Sequence, residues 1–101
     1  MTKEIILNYL KKNKDKFYKE FGIVTLGLFG SYAKNSATKD SDIDIFYERD
    51  KNFKLNSGLE FLALSKKIAK ELNVKKVDLV KLSSMNPIVK YYAKEDFIYV
   101  E

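Results

Sequence analysis

Three aspartates crowd into the heptad "KDSDIDI", at positions 40, 42 and 44. Asp42 and Asp44 alternate with Ile43 and Ile45, the period of a β-strand. Both carboxylates therefore leave one face of the chain and both isoleucines the other. Two residues along a strand span roughly 6 to 7 Å. At that separation two bare carboxylates repel by about 2 to 3 kcal/mol for an effective dielectric near 20. A water-washed edge tolerates such a cost, whereas a cleft requires a cation between the acids. A third candidate is Asp78, in "VKKVDLV", whose neighbours Val77, Leu79 and Val80 are apolar. An acid in the middle of such a run needs a reason. If its strand lies beside that of residues 42–48, about 4.8 Å away, three carboxylates converge. Such a set suits one or two Mg2+ ions, which take hard oxygen ligands and leave room for substrate phosphates. In two-metal sites carboxylates bridge ions about 3.5 to 4 Å apart. Asp40 reads as a turn residue.

The stretch "LFGSYAK" just upstream supplies the complementary half. A strand that ends at Gly30-Ser31 and enters a helical turn presents unpaired backbone N–H groups to an anion. Gly30 lets a phosphate come close to the main chain, and Ser31 adds a hydroxyl donor. Lys34 and Lys39 read as solvated, although Lys34 is near enough to this turn to touch a triphosphate. A phosphate cradle and a metal site at the ends of adjacent strands are the two halves of a nucleoside triphosphate site. Competing motifs fail. Counted from Asp40 as a calcium loop, the sixth position is Ile45 rather than Gly and the twelfth is Lys51 rather than Glu. The chain has no G-x-x-x-x-G-K-[ST] and no G-x-G-x-x-G.

Composition narrows the chemistry further. With no histidine and no cysteine among 101 residues, imidazole and thiolate catalysis, disulfides and Cys/His metal sites are excluded. Catalysis must run on carboxylates, hydroxyls, lysines or an oxygen-bound metal. An apolar fraction of 46%, including seven Phe and seven Tyr, suffices for one core, so residues 1–101 are expected to form a single domain. No apolar run approaches the roughly 20 residues of a membrane span. The opening "MTKEIILNYLKKNKDK" is too polar for a signal peptide, so a cytoplasmic location is expected. The net charge of +5 comes from eighteen lysines and one arginine, Arg49. Such a surface attracts nucleic acid, an acidic nucleotide or an acidic protein. The lysines are dispersed, however, and are not interleaved with aromatics as a stacking platform requires. Direct nucleic-acid binding is therefore not expected, and codon bias explains the lysines equally well.

These residues must be positioned by a small number of elements. Thr2 to Glu20 reads as a helix capped by Thr2, with Ile6, Leu10 and Phe17 on one face. "GIVTLGLF" (22–29), "DIDIFYE" (42–48) and "VKKVDLV" (74–80) read as strands. Residues 57–72 read as a helix capped by Ser57, with Phe61, Leu62, Ser65, Ile68, Ala69 and Leu72 on its inner stripe. Asn86 and Pro87 open a short helix, and "DFIYV" (96–100) reads as an edge strand. The order α-β-β-α-β-α-β predicts an α/β (α+β) fold, a small mixed sheet of about four strands flanked by helices.

The segment "LFGSYAKNSATKDSDIDI" resembles the nucleotidyltransferase signature of the DNA polymerase β superfamily, G-S-x-A-x-G-x(5)-S-D-x-D, with "VDLV" supplying the later third acid. Nearly the whole chain takes part in the resemblance. Its shortness makes it similar to the minimal nucleotidyltransferases (MNT), antitoxins encoded beside a HEPN-domain ribonuclease toxin. The resemblance implies the nucleotidyltransferase fold and transfer of AMP from ATP to a tyrosine of that toxin. Position by position, it implies that Gly30, Ser31, Lys34 and Ser41 serve the nucleotide. It further implies that Asp42, Asp44 and Asp78 bind Mg2+, with Asp78 also helping to activate the attacking hydroxyl. Lys34 and Asn35 stand where the family usually has Arg and Gly. Asn accepts the left-handed backbone better than most residues, while Lys keeps the charge of Arg without its bidentate fork. Two rival functions remain at this stage. One is an antitoxin that neutralises its partner by binding alone; the other is a transferase acting on a small molecule or an RNA end.

Overall fold

The computed structural model of the chain describes residues 1–54 and 59–101. Its elements are α1 (Lys3–Phe21), β1 (Ile23–Phe29), β2 (Ile43–Arg49), α2 (Leu59–Leu72), β3 (Val77–Lys81), α3 (Pro87–Ala93) and β4 (Ile98–Tyr99), with short 3-10 turns before and after α3. The strands form one sheet in the order β3-β2-β1-β4. The β1–β2 and β1–β4 pairs are antiparallel and β2–β3 is parallel, so the sheet is mixed. A parallel pair needs a long crossover, and α2 lies in the connection that provides it.

The local signals are realised close to where the sequence puts them. The Thr2 hydroxyl accepts the Ile5 N–H to start α1, and Gly22 ends it by donating to the carbonyls of Phe17 and Tyr18. Gly22 is thus a helix cap rather than the first residue of a strand. The Asn86 side chain accepts the Ile88 and Val89 N–H groups, and Pro87 occupies the first turn of α3. The proposed Ser57 cap of α2 lies outside the described residues. The third strand starts at Val77 rather than at residue 74, and the last one shrinks to Ile98–Tyr99.

Helices α1 and α2 cover the same side of the sheet. Ile6, Leu10 and Phe17 of α1 and Leu64, Ile68, Ala69 and Leu72 of α2 join Leu26, Leu28, Ile43, Ile45, Tyr47 and Val77 in one apolar core. Leu62 is the exception to the expected stripe: it is 55% exposed, and Leu64, absent from that stripe, is buried in its place. The inner stripe of α2 therefore runs 61-64-65-68-69-72, the true 3.6-residue spacing, and Ser65 on it donates to the Val77 carbonyl. In β1 the buried parity switches from Ile23 to Leu26 and Leu28 because the register slips between Ile23 and Thr25. One extra residue moves every later side chain to the other face.

The opposite side of the sheet carries a small aromatic cluster. Phe46 is fully buried there, stacked on Phe97 at a centroid distance of 4.6 Å and flanked by Phe29 and Tyr99 at 6.2 and 5.0 Å. Gly27 faces Phe46 across the β1–β2 pair. A Cβ on Gly27 would land on the Phe46 ring, so only glycine lets the ring lie against the sheet.

Candidate active site

The acids gather where β2 and β3 begin. The parallel register sets Asp44 directly beside Asp78, with Ile43 beside Val77. Identical parity then sends the isoleucine and valine into the helical core and both carboxylates to the other face. Asp42 immediately precedes β2 rather than lying within it, and is exposed. Lys76, just before β3, reaches into this group. Its ammonium lies 3.8 Å from an Asp42 oxygen and 3.5 Å from an Asp78 oxygen. The Asp44 carboxyl is held above the ordinary carboxylate range by burial first, then by the charges of Asp78 and Asp42, with Lys76 opposing. The three acids thus share one electrostatic environment.

Gly30 closes the group from the β1 side. Its φ of 78° lies in the left-handed region, and a Cβ there would land on the Asp44 Oδ2. Glycine is needed both for the turn and for the close approach of main chain and carboxylate. Residues 31–35 then make one helical turn. It closes with the Asn35 N–H on the Tyr32 carbonyl and the Ser36 N–H on the Ser31 carbonyl, while Asn35 sits at φ 62°. That is the hydrogen-bond pattern by which glycine ends helices, and Asn35 fulfils it. Tyr32 and Ala33 are buried and pin the turn to the core.

The other nucleotide candidates are engaged in different ways. Lys34 extends to Asp96, 3.7 Å away, and so ties this turn to the segment after α3. The Ser41 hydroxyl accepts the Thr38 N–H and holds the loop that leads into Asp42. A cleft of about 510 Å3 adjoins this loop, lined in part by Tyr32, Thr38, Ser41, Asp42 and Val74. Among the three acids only Asp42 lines it. A cleft of similar size at the far end of the sheet, around Glu48, Arg49 and Ser83, holds none of these residues. Lys76 and Asp96 were missing from the sequence-derived site. Lys76 was legible by strand alternation, two positions before Asp78, but Asp96 is joined to Lys34 by tertiary folding alone.

Whether the acids suit a divalent metal turns on charge and donor type. The side chains are all carboxylates, the hard oxygen donors that Mg2+ prefers. Asp44 is raised by burial first and then by its acidic neighbours, so added positive charge there is relieving. Among the described residues no three acids stand close enough to enclose an ion as they are placed, and the Lys76 ammonium holds the cationic position. The donors fit Mg2+: the strand register fixes Asp44 beside Asp78, and the exposed Asp42 side chain is free to rotate toward them.

A mixed sheet with α1 and α2 on one side, and acids beside a Gly-Ser turn on the other, is the arrangement of a nucleotidyltransferase. The chain belongs to the nucleotidyltransferase domain family, which matches residues 6–100. A candidate protein adenylyltransferase of Methanocaldococcus jannaschii is 46% identical over 97% of this chain and 93% of its own length. The protein adenylyltransferase MntA of Thermococcus cleftensis is 31% identical over 99% of this chain and 97% of its own length. The fold is that of a minimal nucleotidyltransferase. A solved structure described in those terms superposes with a TM-score of 0.72 at 24% identity, covering 97% of this chain and 95% of the other. An MNT antitoxin in complex with a tri-AMPylated HEPN toxin of Shewanella oneidensis superposes with a TM-score of 0.63 at 22% identity, covering 94% and 71%. Among the described residues no helix is long and apolar enough to cross a membrane.

Proposed function

We propose that residues 1–101 act as one minimal nucleotidyltransferase domain. The domain moves AMP from ATP to a tyrosine hydroxyl of a partner HEPN ribonuclease toxin, and so serves as its antitoxin in the cytoplasm, where ATP and RNA are at hand. The observation that carries the reading is the pairing of Asp44 with Asp78 across β2–β3, with Asp42 tied to Asp78 through Lys76 and Gly30 packed on Asp44. The naming of full-length relatives as protein adenylyltransferases gives the reaction class.

In the transfer, the tyrosine oxygen bonds to the α-phosphorus while the bond from that phosphorus to the β-bridging oxygen breaks. Pyrophosphate leaves with the bond's electron pair. Such a reaction needs alignment and charge neutralisation more than covalent help. Mg2+, held by Asp42, Asp44 and Asp78, would supply that neutralisation at the phosphates. Asp78 also accepts the proton of the attacking hydroxyl. Gly30 and Ser31 receive the triphosphate through backbone N–H groups and a hydroxyl. Lys34 adds positive charge beside it, and Ser41 keeps the loop before Asp42 in place.

The test is to incubate the protein with ATP, Mg2+ and the product of the adjacent gene, and to weigh that product by mass spectrometry. The expected result is one or more added AMP groups, lost in the Asp42→Ala/Asp44→Ala double variant. An unmodified partner, or equal modification by the double variant, contradicts the reading. If the double variant still rescues cells from the toxin, neutralisation proceeds by binding alone.

A further inference from the structure

We infer that Lys76 is a built-in counter-cation of the acidic cluster. It holds Asp42 and Asp78 in register when no metal is bound, and it competes with a divalent cation for the same oxygens. The inference rests on the metal-dependent reading above and adds a residue that the nucleotidyltransferase signature does not contain.

The position of Lys76 follows from the strand. Two residues before Asp78, it shares the parity of that aspartate. Its ammonium bridges the two acids that come from different elements, Asp42 ahead of β2 and Asp78 within β3, at 3.8 and 3.5 Å. Among the described residues it is also the positive charge that opposes the effect of Asp78 and Asp42 on Asp44. A single ammonium thus occupies the place between Asp42 and Asp78 that a bound cation would take. Its side chain is 62% exposed and rests on a flexible stem, so nothing in the packing prevents it from swinging out. An exposed ion pair of this kind contributes little on its own. A contribution that small gives way readily to a divalent ion with higher charge. The cluster is therefore partly compensated before any metal is bound, and it exchanges an intramolecular cation for the metal when the metal binds.

The consequence runs opposite to that of an ordinary ligand. Removing Lys76 should tighten cation binding, whereas removing a metal ligand or a residue that positions one should weaken it. The test is Mn2+ titration of the purified protein, without nucleotide or partner, by calorimetry and by the shift in Tm. Lys76→Met keeps the length of the stem and deletes the charge. It is expected to bind Mn2+ about fivefold tighter, the size of change that one or two exposed ion pairs supply. Its metal-free Tm should fall below that of the wild type and be restored by the metal. The gap in affinity should shrink as KCl rises from about 0.05 M to about 1 M, because screening weakens the competitor. Lys76→Arg, which retains the charge, should behave as the wild type. Lys75→Met controls for net charge, and it should tighten binding by less.

Equal or weaker Mn2+ binding by Lys76→Met, with the wild type binding normally, overturns the role of Lys76 and leaves the metal-dependent transfer intact. Equal tightening by Lys75→Met also overturns it, since the effect is then one of net charge. If the wild type binds no Mn2+, or binds it no better than Asp44→Asn does, both readings fall together.

Discussion

The two faces of the sheet are made by the same residues in alternation, and they do opposite things. Along β2, Ile43, Ile45 and Tyr47 enter the core under α1 and α2, whereas Asp44, Phe46 and Glu48 point away from the helices. On the helical side the described residues pack into one apolar core. On the other side an aromatic cluster around the buried Phe46 adjoins a group of acids whose charges are incompletely balanced. The helical face stabilises the chain; the acid end of the other carries a local charge imbalance that a bound cation can relieve. The strand period keeps the two apart, because any one-residue slip in β2 would place carboxylates in the core.

The largest break in this comparison comes from the packed face. Ile45→Ala deletes a fully buried side chain and should cost about 3 kcal/mol of stability. A lower urea midpoint with an unchanged slope would show it, and a loss under about 1 kcal/mol would mean that the core collapses around the gap.

Gly30→Ala acts at the seam of the two faces. It forces a side chain into the left-handed region and against Asp44. About 1 to 2 kcal/mol of stability should go, with transfer activity falling much further than stability explains. Comparison of urea midpoint and AMP transfer on the same preparation separates the two. Retained activity would show that the close contact of main chain and carboxylate is dispensable.

Asp44→Asn should move stability the other way. Because the folded carboxyl is held above its ordinary range, ionising it costs folding energy at neutral pH and nothing at pH values where both folded and unfolded forms are protonated. The variant should therefore raise the metal-free Tm at pH 7, by about 0.5 kcal/mol equivalent. The gain should fade as pH falls through the raised value toward about 4 and below. A destabilised variant at pH 7 would mean that the carboxylate is a structural acceptor and not a charge in need of a partner.

Much of this arrangement is legible in the sequence because it rests on period and punctuation. Alternation in "DIDIF" separates acids from core, Thr2 and Asn86 mark helix starts, and the apolar setting of Asp78 flags a residue out of place. The distance from Gly30-Ser31 to Asp42 matches the transferase signature. What was not legible depends on tertiary register. The slip in β1 that rotates Leu26 and Leu28 inward leaves no mark in composition. Leu62 and Leu64 are chemically identical, but the 3.6-residue spacing from Phe61 to Ile68 and Leu72 selects Leu64, a signal that the sequence does carry and the expected stripe omits. The Lys34–Asp96 pair joins segments some sixty positions apart, through a turn and a 3-10 segment that meet only in the folded chain.

The most direct test of the central claim is paramagnetic broadening of amide signals in the isotopically labelled protein when Mn2+ and ATP are added. The account predicts loss of signals from Gly30, Ser31, Asp44 and Asp78 and their strand neighbours, with Phe21 of α1 and Glu48 and Arg49 at the far end of β2 left sharp, and no such pattern in Asp44→Asn. Uniform broadening, or broadening centred on the cleft at Glu48 and Ser83, would place the cation elsewhere and contradict it.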